Sequence, residues 1–160
     1  MRPPYVLCEL YRRRKRGSTL EQPIHQRLRR LIEALDSGID WPVRYVRWEQ
    51  DLLRALGFGL DLSRCAVSGA RADLAYVSPR TGHAVSRTAG LPHHDKLLGL
   101  PKFLWRDSPA DEAQLVLGMT LTGHFLAQHV FVPQGRTLPP ARVRLAERMR
   151  QAAAAATIGS

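Results

Sequence analysis

The sequence is poor in the residues on which most protein chemistries depend. It contains two cysteines, Cys8 and Cys65, among 160 residues. Two cysteines cannot build the disulfide framework of a small secreted domain, and their scarcity fits a reducing cytoplasm. A Walker-type phosphate loop is missing, as is a G-x-G-x-x-G after a strand. So is a G-x-S-x-G nucleophile elbow. The carboxylates are scattered, without the paired spacing of an acid/base couple, and Cys65 has no adjacent histidine to activate it. These absences argue against an enzyme: no catalytic residue and no cofactor are expected. No apolar run approaches the ~18–20 residues of a membrane span. Met1-Arg2-Pro3-Pro4 opens no long apolar signal core, so neither membrane nor export is expected. There is no internal repeat.

Acidic residues are also in short supply. Asp and Glu number 14 against 24 Lys and Arg, a net charge of +10. The excess is uneven. Residues 1–30 hold nine of the bases and only Glu9 and Glu21 as acids, whereas residues 31–160 hold 15 bases and 12 acids. Most of the imbalance lies in the run Arg12, Arg13, Arg14, Lys15 and Arg16. Two readings of that run stay open: phosphate binding with counterion release, or a solvated, frayed N-terminal segment.

What is present is helical periodicity. After Pro23, which suits a first helical turn, Ile24, Leu28, Leu31, Ile32 and Leu35 share one face, and Gly38 is a natural stop. Trp41-Pro42 opens a second helix that ends at Gly57. Tyr45, Val46, Trp48, Leu52, Leu53 and Leu56 form its apolar side, and Arg44, Arg47, Gln50, Asp51 and Arg54 the other. Glu49 breaks the pattern, because its angle falls inside the apolar arc. A lone buried carboxylate is costly, so Glu49 is expected to pair with an arginine or with helix-end N–H groups, in a structural role. Trp48 and Gly57 are assigned structural roles beside it.

Glycine and proline then interrupt the pattern. Leu74–Val77 reads as a strand, 78–82 as a turn and His83–Ser86 as its antiparallel return. Leu97–Trp105 reads as a short helix broken near Pro101. Ser108-Pro109-Ala110-Asp111 resembles a helix start capped by Ser108, and the helix that follows is expected to run to about Phe131. Leu115, Val116, Leu117, Met119, Leu121, Phe125, Leu126 and Val130 lie nearly all round it, marking a central, buried helix. A last helix carries Val143, Leu145 and Met149 and frays into an alanine-rich tail. His93 and His94 fall in a loop. His124 and His129 are too far apart around their helix to share a metal.

The expected fold is mainly α: a helical bundle around a long buried helix with a small inserted β-hairpin. It divides into a basic, poorly ordered segment over 1–20, a helical domain over 21–152 with the hairpin insert at about 61–90, and a tail over 153–160.

One ordered set of segments resembles a known family. It starts at Arg47-Trp48-Glu49 and runs through Leu52-Leu53-Arg54-Ala55-Leu56-Gly57-Phe58-Gly59 to Cys65. Leu74–Gly82, Ala84–Arg87 and Leu97–Leu104 follow, then Leu121-Thr122-Gly123-His124-Phe125-Leu126 and Gly135–Pro139. Over about residues 23–150 this is similar to the C-terminal helical part of RecO recombination mediators, especially of alphaproteobacterial type. The resemblance implies a non-enzymatic DNA repair and homologous-recombination protein of the RecF pathway, cytoplasmic and nucleoid-associated. Its implied partners are RecR, the C-terminal tail of the single-strand-binding protein, RecA and single-stranded DNA. Family members carry an N-terminal OB domain, and residues 1–20 are too short for its five strands. DNA binding is therefore expected to be weakened, and the alternative is a fragment without independent DNA binding, or a helical adaptor. The Arg-rich run has no recognised counterpart in the family.

The resemblance also implies a degenerate zinc ribbon. Some members carry two Cys-x-x-Cys pairs here, and the four positions become Cys65, Ser68, Ser86 and Ala89. Serine hydroxyls bind zinc poorly and alanine cannot ligate it, so no structural metal is expected. The hairpin is expected to rest on Leu74, Tyr76, Val77 and Val85, with Cys65 as a small buried hydrophobe. The candidate partner surface is the basic side of the first two helices, Arg27, Arg30, Arg44, Arg47 and Arg54, which suits an acidic peptide.

Overall fold

The structure, a computed structural model, describes residues 21–158. The basic run at 12–16 lies outside them. Helix α1 (Glu21–Ser37) turns Leu31 and Ala34 into the core, with Leu28 and Leu35 half-buried beside them. Ile32, expected on the same face, sits at the edge of the stripe and is half exposed. Gly38 adopts a φ of +74°, and its N–H closes on the Ala34 carbonyl at 2.9 Å. This left-handed stop is a conformation that favours glycine.

Helix α2 (Trp41–Ala55) has Pro42 in its first turn and buries Tyr45, Val46, Trp48, Glu49, Leu52 and Leu53. Gly57 follows at φ +89° and sends the chain into the loop before the sheet. The sheet has strands β1 (Leu74–Val77), β2 (Ala84–Ser86) and β3 (Leu98–Gly99), in the order β2-β1-β3. Both pairings are antiparallel. Tyr76 lies opposite Val85 and Gly99, and Val77 opposite Ala84 and Leu98. The expected hairpin is therefore the first two strands of a three-stranded sheet. The expected helix over Leu97–Trp105 is replaced by β3 and a 3-10 turn (Lys102–Leu104). The free edge of β1 captures this segment, and the Leu100 N–H extends the ladder to the Ala75 carbonyl at 2.9 Å. Between β2 and β3 run one turn of helix, α3 (Arg87–Gly90), and a 3-10 stretch (Leu91–Lys96) holding the exposed His93 and His94.

Helix α4 (Glu112–Leu126) begins three residues later than the Ser108 cap would place it. Asp111 is the cap, its carboxylate accepting the Gln114 N–H at 2.7 Å. The Ser108 hydroxyl instead donates to the Pro109 carbonyl. Nor does α4 reach Phe131 as a regular helix. It passes into a π-helical turn (Ala127–Phe131) and a 3-10 turn (Val132–Gln134), and Gly135 ends it at φ +64°. Contrary to the sequence expectation, Glu112–Gln134 is long and apolar enough to cross a bilayer by length and composition. Here it is the central helix. It buries Gly118, Met119, Leu121, Thr122, Gly123, Phe125 and Leu126, with α2, α5 and β3 packed around it.

Helix α5 (Pro140–Ile158) buries Arg142 and Ala146, with Leu145 and Met149 half-buried. Val143 is half exposed. The alanines at 152–156 do not fray but continue the helix. They are mostly solvent-exposed, and the high helix propensity of alanine accounts for their helical state. α1 packs on α2.

Candidate partner and nucleic-acid interface

A buried charge knot holds the three principal helices. Glu49 on α2 is 1% exposed, and Arg142 on α5 is 5% exposed. Arg142 donates through Nε to Glu49 Oε1 at 2.7 Å and through Nη2 to Oε2 at 2.8 Å. This two-pronged pairing is the strong geometry for guanidinium and carboxylate. Thr122 on α4 donates its hydroxyl to Glu49 Oε2 at 2.5 Å, and Arg142 Nη2 also donates to the Met119 carbonyl at 2.8 Å. Burial, followed by the negative charge of Glu49, pushes the neighbouring Tyr45 hydroxyl pKa up. Burial disfavours the charged Arg142, but Glu49 more than offsets this and holds it protonated. Gly123 makes room for the guanidinium: a Cβ there would lie 2.7 Å from Arg142 Nη1. Glu49 thus has the arginine partner its position demands. Arg142 was not legible as that partner, because it lies 93 residues away on a helix read by its apolar residues.

The basic side of α1 and α2 is partly committed to the fold. Arg27 Nη1 sits 2.8 Å from Asp51 Oδ2, an ion-pair contact that lacks the alignment of a good hydrogen bond. Burial raises the Asp51 pKa, and Arg27, Arg54 and Arg47 oppose that rise in decreasing order. Arg47 also donates to the Phe103 carbonyl through Nε at 3.3 Å and Nη2 at 3.0 Å, fastening α2 to the 3-10 turn. Arg30, Arg44 and Arg54 are exposed. Trp48 is buried in the core, and neither its indole N–H nor that of Trp105 has a hydrogen-bond partner among the described residues. The Arg106 guanidinium lies 4.1 Å over the Trp105 ring.

The four positions that the resemblance assigns to a degenerate ribbon form two hydrogen-bonded pairs, Cys65 with Ser68 and Ser86 with Ala89. Cys65 is buried, and its sulfur accepts the Ser68 N–H at 3.4 Å. The Ser86 hydroxyl caps α3 by accepting the Ala89 N–H at 3.4 Å. Burial pushes the Cys65 thiol up, but the hydrogen bonds from Ser68 and Ser86 together outweigh it and bring it down to about 6. Cys65 is the small buried core side chain expected, and its sulfur in addition accepts a backbone N–H. Among the described residues, no three His, Cys, Asp or Glu side chains gather to hold a metal.

The histidines of α4 make local contacts. His124 Nε2 lies 3.3 Å from the Pro79 carbonyl, and His129 stacks between Phe58 and Phe125. The stacking ladder went unpredicted because Phe58 and His129 meet only in the folded chain.

A family model described as the C-terminal part of recombination protein O matches residues 6–138. The chain belongs to the RecO C-terminal family. The match begins ahead of residue 23, where the resemblance was placed. It therefore spans the Arg12–Arg16 run, and it ends just before α5. Among curated relatives, the DNA repair protein RecO of Caulobacter sp. (strain K31) is 56% identical over 126 residues, covering 78% of this chain and 52% of the relative. That of Caulobacter vibrioides (strain NA1000 / CB15N) is 54% identical over 126 residues with the same coverage. That of Rhodospirillum rubrum is 52% identical over 132 residues, again 78% of this chain and 52% of the relative. The chain thus spans about half the length of the curated RecO relatives it matches. No solved structure matches it.

Proposed function

We propose that this chain supplies the helical part of a RecO-type mediator of DNA repair and homologous recombination in the RecF pathway. It works without catalysis, through contacts with RecR, the tail of the single-strand-binding protein and single-stranded DNA, and it acts in the cytoplasm at the nucleoid. The observation that carries this reading is the identity of more than half over 126 residues to proteins named DNA repair protein RecO. The basic, partly ordered side of α1 and α2 supports the protein-contact share of the work. Arg27 and Arg47 are held in place by Asp51 and the Phe103 carbonyl, while Arg30, Arg44 and Arg54 remain exposed. An acidic peptide meeting fixed and free cations in one place gains both orientation and attraction.

The test is binding by the full chain of RecR and of a fluorescent acidic tail peptide, at low and at physiological salt. The expected result is binding of both, with peptide affinity reduced when Arg30, Arg44 and Arg54 are changed together to alanine. Failure to bind either partner at low salt overturns the reading.

A further inference from the structure

The end of the molecule where α4 becomes π-helical carries an arrangement that the contacts above do not use. Phe58, 40% exposed, stacks on His129 with ring centroids 4.8 Å apart and planes 15° apart. His129 stacks in turn on the buried Phe125 at 5.8 Å and 11°. His124 meets Phe125 edge-on at 5.2 Å. The result is a ladder of flat rings, anchored in the core and open at Phe58. The π-helical turn Ala127–Phe131 carries His129, and such turns occur frequently at functional sites. Beyond it, Val132 is 57% exposed and extends the apolar surface.

The rim of this surface is basic. Three segments meet there, 54–64, 78–83 and 124–136. The Pro79 carbonyl lies on His124, Gly82 packs beside Leu60 and Phe125, and Asp61 bridges to His83. Their charged side chains are Arg54, Arg64, Arg80 and Arg136, against Asp61 alone. The stem of Arg54 runs under Gly59, beside Phe58: a Cβ on Gly59 would stand 3.3 Å from Arg54 Cβ and Cγ.

We infer that the Phe58–His129 ladder is a stacking platform for an unpaired base of single-stranded DNA, with Arg54 and Arg80 along the phosphate path. An exposed aromatic ring flanked by cations is what sequence-independent binding of single strands requires, because every base offers a flat face and every linkage a negative charge. A short hydrophobic peptide would instead be seated by a groove around its side chains, whereas here the open element is a flat ring. The inference rests on the DNA-repair reading above. It names a surface that shares only Arg54 with the α1/α2 face proposed there for the acidic peptide.

The experiment uses the full chain, a fluorescent oligo-thymidine strand and the acidic tail peptide, titrated separately across a salt series. Phe58→Ala is expected to weaken strand binding about ten-fold with an unchanged salt slope, and Phe58→Tyr to retain it. Arg54→Ala combined with Arg80→Ala is expected to flatten the salt slope by about two counterions' worth. Phe58→Leu keeps the apolar bulk without an aromatic ring and is expected to behave as Phe58→Ala, which separates stacking from folding. The inference is overturned if the chain binds no single strand at low salt, or if Phe58→Ala leaves strand affinity unchanged. It is also overturned if Phe58→Ala abolishes peptide binding while sparing the strand. Any of these can occur while RecR and peptide binding by the chain persist, so its failure is distinguishable from failure of the mediator reading.

Discussion

Glu49 and Arg142 lie 93 residues apart in sequence and 2.7 Å apart in space, both almost fully withdrawn from water. The contact joins α2 to α5, and Thr122 ties α4 to the same carboxylate. Breaking a buried pair leaves one charge without a partner, at a cost of about 3–5 kcal/mol. Glu49→Ala and Arg142→Ala are each expected to lower unfolding stability by about that amount. Replacing both by apolar residues of similar volume, Glu49→Leu with Arg142→Met, is expected to recover most of the loss. Urea denaturation of the three variants checks this. Equal losses in the double and single variants would contradict it.

Gly123 is expected to resist even a methyl group. An added Cβ at 2.7 Å from Arg142 Nη1 has to displace the guanidinium from Glu49. Gly123→Ala is therefore expected to destabilise by about 1–3 kcal/mol, and by much less in an Arg142→Met background. A cycle of thermal melts on the two single variants and the double variant measures that coupling. Independent, additive effects would sink the explanation.

The Cys65 thiol makes a prediction in pH. Its folded-state value of about 6 lies below the ordinary thiol value of about 8.5. Folding therefore favours the thiolate. The stability this contributes is fully present above the unfolded value and is lost as pH falls through about 6. Stability should thus rise between those two values, and Cys65→Ser should flatten the rise. Thiolate absorbance in the ultraviolet, followed on a Cys8→Ser background, is expected to titrate near 6. A midpoint at or above the ordinary thiol value would show that the hydrogen bonds from Ser68 and Ser86 do not hold an anion.

If Cys65, Ser68, Ser86 and Ala89 occupy ribbon positions, thiols at all four should hold a metal. The native chain is expected to purify without zinc. The triple variant Ser68→Cys, Ser86→Cys and Ala89→Cys is expected to take up about one zinc per chain, with a raised melting temperature that a chelator reverses. Elemental analysis reads the metal content. One zinc in the native chain, or none in the triple variant, refutes the ribbon reading of these positions.

Much of the helical frame was legible because it rests on local rules. The 3.6-residue stripe of α2, the glycine stops at Gly38 and Gly57 and the all-round apolarity of α4 are each written within a few turns. Glu49 stood out because a carboxylate inside an apolar arc needs an explanation. Where the reading failed, distant partners had overridden local preference. Leu98–Gly99 became a strand because β1 offered an open edge. The cap at the start of α4 moved through a local competition instead, from Ser108 to Asp111, whose carboxylate takes the Gln114 N–H.

By itself, the sequence determined the mainly helical class, the strand pair around the 78–82 turn, the family and the demand for a partner at Glu49. These follow from periodicity, turn residues and the cost of burying charge, all of which act over short stretches. Only the tertiary structure decided that the partner is Arg142, that Cys65 gathers Ser68 and Ser86 around its sulfur, and that Phe58 opens a ring ladder through His129. Each of those contacts joins residues that no local pattern links, and each forms only when packing brings separate elements within hydrogen-bonding or stacking distance.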